Sequence, residues 1–394
     1  MSHQLSDRIN NLPVSQTLAM AAKARELKSQ GIDIISLSLG EPDFNTPDFI
    51  KEAAKKAIDD NYNSYTPVDG YLDLREAVCR KFKRDNNINY SPNQIVVSTG
   101  AKQSLANVAM VLLNPGDEAI LPAPYWVSYE AIVNLCEATP IPIATGIEQD
   151  FKITPQQLEA AITPKTKLIF LNSPSNPSGA VYSKEELRAL ADVLIKYPEV
   201  YIISDEIYEH IIYEGKAFSM AAFEDMYDKT ITVNGLSKSF AMTGWRLGYL
   251  GAPEWIAKAC TKMQGQITSG TNCIAQRTAI TALEAPVSKI QYMIDEFKER
   301  RDLVFDLLEE IPGFIVKKAP GAFYFFPDVS YYFGKTLQGQ QINNATDLSM
   351  YLLEKANVAT VTGEAFGVPN CLRLSYATSR EFLVEALGRI KAAL

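Results

Sequence analysis

Histidine and cysteine are scarce in this chain of 394 residues: two of the first, His3 and His210, and five of the second. The cysteines (Cys79, Cys136, Cys260, Cys273 and Cys371) are odd in number, scattered, and never spaced C-x-x-C. That pattern speaks against a disulfide framework and a thiolate metal site, and points to a reducing, cytoplasmic setting. With two histidines, zinc would also lack its usual nitrogen ligands, so no metal is expected. Long apolar runs are missing too, and no stretch approaches the ~20 apolar residues of a membrane span. The longest, near 106–113, is broken by Asn107 and stops at Asn114-Pro115-Gly116. It reads as a half-buried helix. Residues 1–8 lack the apolar core of a signal peptide. Positive charge is in deficit: Lys plus Arg number 38 against 46 for Asp plus Glu, a net charge of -8. Without a basic run to override that balance, nucleic acid and anionic membranes are not expected partners.

What is present suits a large soluble protein. An apolar content of 47% allows an extensive core, and the length exceeds what one core usually serves, so two domains are expected. From about residue 94, short β-branched runs alternate with helical stretches. Candidate strands are Gln94–Ser98, Glu118–Leu121, Lys167–Leu171, Val200–Ser204, Thr230–Val233 and Leu247–Leu250. Continuous apolar runs such as Leu168-Ile169-Phe170-Leu171 suit strands covered on both faces, as in a mainly parallel sheet. Thr154-Pro155-Gln156-Gln157 and Ser183-Lys184-Glu185-Glu186 read as capping boxes that start helices. Beyond about Pro286 the pattern changes. A long amphipathic helix is predicted over roughly 287–310, then strands around 314–317 and 323–326, a helix near 345–355, a strand at 371–375 and a last helix capped by Thr378-Ser379-Arg380-Glu381. The expected architecture is α/β: a large domain over 47–286 and a smaller α+β domain over 287–394, which the N-terminal segment 1–46 joins.

Chemistry concentrates in two segments. Ser204-Asp205-Glu206-Ile207-Tyr208 runs out of a predicted strand, and ligands of open α/β sheets bind off such carboxyl ends. In Ser237-Lys238-Ser239-Phe240, Lys238 follows another strand and is flanked by small and apolar residues. Desolvation lowers a lysine's pKa and makes its amine nucleophilic, the condition for a Schiff base. Ser237 and Arg246 offer a hydroxyl and a planar cation to one anionic group. Ser98-Thr99-Gly100-Ala101-Lys102 reads as strand, glycine turn and helix start, whose free N–H groups favour an anion. Neither a Walker A spacing nor a G-x-G-x-x-G fingerprint occurs. Each residue has a plain structural reading: a solvated strand end for Asp205, a surface lysine for Lys238, a packing turn for Gly100, a core aromatic for Trp126. The combination is what carries information.

Together with Asn176-Pro177 and Gly244-Trp245-Arg246, these segments closely resemble class I aminotransferases of the aspartate aminotransferase fold, from Ser15 to Arg373. The resemblance implies the type I fold of pyridoxal-phosphate (PLP) transferases, with a mainly parallel seven-stranded sheet. It implies that Lys238 carries PLP and then acts as general acid/base, while Asp205 keeps the pyridine nitrogen protonated. Tyr208 and Asn176 would hydrogen-bond the ring oxygen and tune the imine's pKa, and Trp126 would stack on the ring. Gly100, Ala101, Lys102, Ser237 and Arg246 would surround the phosphate. Arg373 would clamp the substrate's α-carboxylate, helped by Asn176, Trp126 and the backbone of Gly40. Tyr65 resembles the tyrosine that reaches the phosphate in the neighbouring subunit, which implies a homodimer with shared active sites.

The resemblance also implies the substrates. Aspartate plus 2-oxoglutarate, giving oxaloacetate and glutamate, is the leading reading. Aromatic, kynurenine or alanine-type aminotransferases, or a lyase, are alternatives on the same fold. Many aspartate aminotransferases grip the distal carboxylate with an arginine, but the corresponding region, 268–272, holds none. Lys102, with Ser15 and Thr17, resembles the bacterial subgroup that uses lysine instead; the alternative is that Lys102 faces solvent. A PLP-binding transcriptional regulator would need an appended DNA-binding module, for which a resemblance starting by Ser15 leaves no room. His210 is read as a structural histidine.

Overall fold

Short runs of valine, isoleucine and leucine build one seven-stranded sheet in the computed structural model, which describes residues 5–10, 12 and 16–394, the side chains of 16–18 excepted. Its strands are β1 (Ile95–Ser98), β2 (Glu118–Pro122), β3 (Thr139–Ile143), β4 (Thr166–Asn172), β5 (Tyr201–Asp205), β6 (Thr230–Gly235) and β7 (Gly248–Gly251). They lie in the order β1-β7-β6-β5-β4-β2-β3. Pairing is parallel except at β7, which runs against both its neighbours. Successive side chains of a strand point to opposite faces, and here both faces are buried. Ile203 and Phe170 enter one apolar cluster, while Ile202 and Ile169 enter another on the opposite side.

Six of the seven strands were predicted within a residue or so. The exception, β3, reads Thr-Pro-Ile-Pro-Ile, and two prolines argue against a strand in an interior position. It lies at the sheet's edge, paired only with β2, where a missing N–H costs little. Helix α1 (Ala101–Leu112) covers the broken apolar run, with Leu105, Val108 and Ala109 buried. Both predicted capping boxes form. Thr154 Oγ1 accepts from Gln157 N–H, and Ser183 Oγ accepts from Glu186 N–H at 3.1 Å while Glu186 Oε2 accepts from Ser183 N–H at 2.7 Å.

The C-terminal part departs from expectation at two places. The long helix begins as a 3-10 turn, Val287–Lys289, and becomes α-helical only over Gln291–Glu309. Ile290, fully buried, holds a non-helical φ of -117° at the junction. The predicted strand at 314–317 reduces to one bridge between Ile315 and Asp328, because Ile315 is exposed and Lys317 turns to Asp150. Beyond it, β8 (Tyr324–Phe325), β9 (Val361–Thr362) and β10 (Leu372–Ser375) form a three-stranded antiparallel sheet. Ile35–Ser36 pair in parallel with Val358–Ala359, so residues from the N-terminal segment lie among C-terminal elements. Among the described residues no helix is long and apolar enough to cross a membrane, and all five cysteines are free thiols.

A two-way capping box contributes most where the helix it starts is packed, as here through Leu187, Leu190 and Leu194. Ser183→Ala is expected to cost about 1 kcal/mol. Urea denaturation should show a lower midpoint with an unchanged slope; an unshifted midpoint would contradict this reading.

Candidate active site

The parallel strands deliver their carboxyl ends to one side of the sheet. Asn172 ends β4, Asp205 ends β5 in register with it, and the segment after β6 runs directly into Ser237 and Lys238. Helix α1 starts beside them, after β1. A cavity of about 280 Å³ opens there. Its walls include Lys238, Asp205, Tyr208, Asn176, Trp126, Ser237, Arg246, Ala101 and Lys102, with Gly40, Arg373 and Tyr324 contributed by more distant segments.

Asp205 is buried, its Oδ2 accepting from the Tyr129 hydroxyl at 2.7 Å and its Oδ1 from Ile207 N–H at 3.2 Å. Burial pushes its carboxyl up to about 6, although both hydrogen bonds and the charge of Lys238 pull the other way. Lys238 donates to the Gly40 carbonyl. Burial brings its amine down to about 8; Glu41 opposes this, while Arg373 and Arg246 add to it. A usable fraction of that amine is therefore neutral near pH 7. Arg373, 1% exposed, donates to Asn176 Oδ1 at 3.1 Å and to the Ser38 carbonyl. Among the described residues its Nε has no hydrogen-bond partner.

The start of α1 shows why glycine stands at 100. Gly100 has φ +86°, and a Cβ there would overlap the Arg246 guanidinium. Arg246, which donates to the Thr243 carbonyl at 2.9 Å, thus lies against the helix start with no side chain between them. The first helical N–H groups have no intrahelical acceptors, and with Arg246 and Ser237 they form a cradle suited to a phosphate. A buried carboxyl, a depressed lysine, an anion cradle and an arginine whose Nε has no partner among the described residues fit the needs of PLP bearing an amino acid. The residues fit the group.

One expected residue stands apart, and two cannot be compared with the cavity. Tyr65 is 99% exposed and outside the cavity. Ser15 lies outside the described residues, as does the side chain of Thr17. Lys102 is exposed at the cavity wall, its ammonium 4.7 Å from the centre of the Trp126 ring. His210 is not in the cavity but within 3.4 Å of Glu209 and 3.8 Å of Asp85. These three could surround a cation, yet the buried Lys81 ammonium already binds Glu209 and supplies that charge.

Sequence reasoning missed Tyr129, Asn172 and Tyr324. Tyr129 sits three residues after Trp126, one helical turn away, which could have signalled it. Asn172 donates to the Asp205 carbonyl at 2.9 Å and accepts from Asn176 N–H at 2.8 Å, a role visible only once β4 and β5 are aligned. Tyr324 falls in Phe323-Tyr324-Phe325-Phe326, a run that reads simply as core.

The family described as "Aminotransferase class I and II" matches residues 32–390. An "Aspartate/prephenate aminotransferase" of Cereibacter sphaeroides is 48% identical over 98% of this chain and 98% of its own length. The solved aspartate aminotransferase of Rhizobium meliloti superposes with a TM-score of 0.97 at 44% identity, covering 100% of this chain and 99% of the other. That of Thermus thermophilus, solved with maleate, gives 0.94 at 39% identity with both chains covered fully.

A carboxyl whose pKa is raised by folding destabilises the fold once it ionises. Its contribution is harmless below the ordinary value of 3.8 and becomes a penalty as the pH climbs through about 6. In cofactor-free protein, Asp205→Asn should therefore gain stability over the parent as pH rises from about 4 to 7, by roughly 3 kcal/mol at the upper end. Urea denaturation across that range tests it, and a difference that does not widen with pH would contradict the assignment.

Proposed function

Since the chain belongs to the class I and II aminotransferases, which work through PLP, we propose that it transfers the amino group of L-aspartate to 2-oxoglutarate, giving oxaloacetate and L-glutamate. The observation that carries this reading is the convergence on one cavity of Lys238, Asp205, Arg246 and Arg373, each the residue type that one part of the reaction needs.

When bound, PLP supplies an electron-withdrawing ring that takes up the electron pair left when the substrate's Cα–H bond breaks. Lys238 would hold the cofactor, and its Nζ would take the proton from the substrate's Cα. Asp205 holds a proton on the ring nitrogen, and the resulting ion pair would relieve its own uncompensated burial. Tyr208 and Asn176 hydrogen-bond the ring oxygen. Asn176 gives its Oδ1 to Arg373, which leaves its amide N–H groups for the ligand. Trp126 would stack on the ring, while Gly100, Ala101, Lys102, Ser237 and Arg246 would hold the phosphate. Arg373 takes the α-carboxylate beside Gly40, its Nε having no acceptor among the described residues.

Lys102, with Ser15 and Thr17, reads the distal carboxylate. The maleate in the Thermus structure, itself a dicarboxylate, supports that preference. A second acceptor of prephenate type is favoured by the name of the Cereibacter relative. Residues 47–286 form the cofactor-binding body, while 1–46 and 287–394 form the one that brings Arg373. Tyr65, bare of cover in a single chain, reaches the phosphate of a second copy, so the working form is a homodimer. The free thiols support a cytoplasmic setting.

Lys238→Ala should bind PLP yet lose at least about a thousand-fold in turnover. Borohydride treatment of the parent should fix the cofactor to the peptide containing Lys238. Turnover near the parent's would end the proposal.

Substrate choice is tested with a panel of amino donors against 2-oxoglutarate, prephenate included as an acceptor. Lys102→Ala should raise KM for aspartate about ten-fold, since a charged hydrogen bond is lost, and spare monocarboxylic aromatic donors. Equal losses in both classes would favour a broader aminotransferase.

A further inference from the structure

Tyr324 stands where the two halves of the cavity meet. On β8 it pairs with Ser375 of β10, so it shares a sheet face with Arg373, two residues away along that strand. Its ring lies under the guanidinium, 4.8 Å from Arg373 Cζ to the ring centre. Its hydroxyl is 2.7 Å from that of Tyr208, which follows the end of β5. A Cβ at residue 40 would overlap the Tyr324 hydroxyl, so Gly40 is the residue that keeps its place open.

The Tyr208 hydroxyl has one proton. If that proton points at the cofactor's ring oxygen, the Tyr208 oxygen is left as an acceptor in a buried site. Among the described residues Tyr324 is the group bonded to it. Other charged groups around Tyr208 do not fill this position: Lys238 Nζ is 5.8 Å from its ring centre and donates to Gly40, Arg373 donates to Asn176 and Ser38, and Asp205 is held by Tyr129 and Ile207.

We propose that Tyr324 is a positioning residue that donates its proton to Tyr208, directing the Tyr208 proton into the cavity and strengthening the bond it makes there. Hydrogen bonds in such a chain polarise one another. The inference rests on the PLP reading of the site and adds to it a relay from the sheet bearing the carboxylate clamp to the cofactor's ring oxygen.

The test uses cofactor-loaded protein without substrate, titrating the visible absorbance of the bound chromophore between about pH 5 and 10. Four proteins are compared: the parent, Tyr324→Phe, Tyr208→Phe and the double variant. Phenylalanine keeps the ring under Arg373 and removes only the hydroxyl. A weaker hydrogen bond to the ring oxygen favours the protonated chromophore, so Tyr324→Phe should raise the midpoint by about half a unit, a roughly three-fold change in proton affinity. Tyr208→Phe should raise it further, and the double variant should match Tyr208→Phe. A midpoint unmoved in Tyr324→Phe but moved in Tyr208→Phe overturns the relay alone, as does a Tyr324→Phe shift that persists without the Tyr208 hydroxyl. A midpoint unmoved in both overturns the assignment of Tyr208 with it.

Discussion

Opposite charges are buried close together in this site and kept from neutralising one another. Asp205 is satisfied by a phenol and a backbone N–H, Lys238 by the carbonyl of Gly40, and Arg373 by an amide oxygen and the carbonyl of Ser38. Direct pairing would have been the cheaper way to bury them, because each desolvated charge would have cancelled its neighbour's field. Neutral partners leave the charges available. The raised Asp205 and the depressed Lys238 are signs of that incomplete compensation. A ligand with a cationic ring nitrogen, an electrophilic carbon and a carboxylate supplies what each group lacks.

Holding charges in that state requires a scaffold that does not yield. The seven-stranded sheet provides it, because both its faces are packed and its strand ends are fixed by register rather than by loops. Contact between backbones does the rest. A Cβ at Gly248 would run into the backbone of Gly100 and Ala101, so β7 presses on the start of α1 with nothing between them. Groups held by main-chain contact have no rotamers to explore, and that is the basis of preorganised electrostatics.

The parts that were legible in the amino-acid sequence were those whose physics is local. Strands such as Leu168–Leu171 announce themselves by continuous apolar runs, and capping boxes by four residues. Asp205 and Lys238 were legible because each follows a strand, and strand ends are where an α/β sheet binds ligands. What could not be read depends on partners distant in the chain. Pro140 and Pro142 make β3 a poor strand by composition, and only its edge position accommodates them. Asn172 and Tyr129 both bond Asp205, with which they share no sequence pattern. Tyr324 looked like one aromatic among four, and its hydroxyl gains meaning only from Tyr208 and the gap at Gly40. Tyr65 was singled out by resemblance, and a single chain leaves it bare.

The pairing of β1 with β7 has a consequence for how the chain acquires its cofactor. Ser98 lies opposite Gly248, and these two strands, far apart in sequence, close one edge of the sheet. Pairings at such separation are entropically costly and come late in folding. Gly100 and Arg246, proposed above to face the cofactor's phosphate, meet on that same edge, so the proposed cradle would be complete only once it closes. A ligand that binds the finished state better than the partly folded one draws the folding equilibrium toward it by mass action, so cofactor supply would raise the share of newly made chain that is folded.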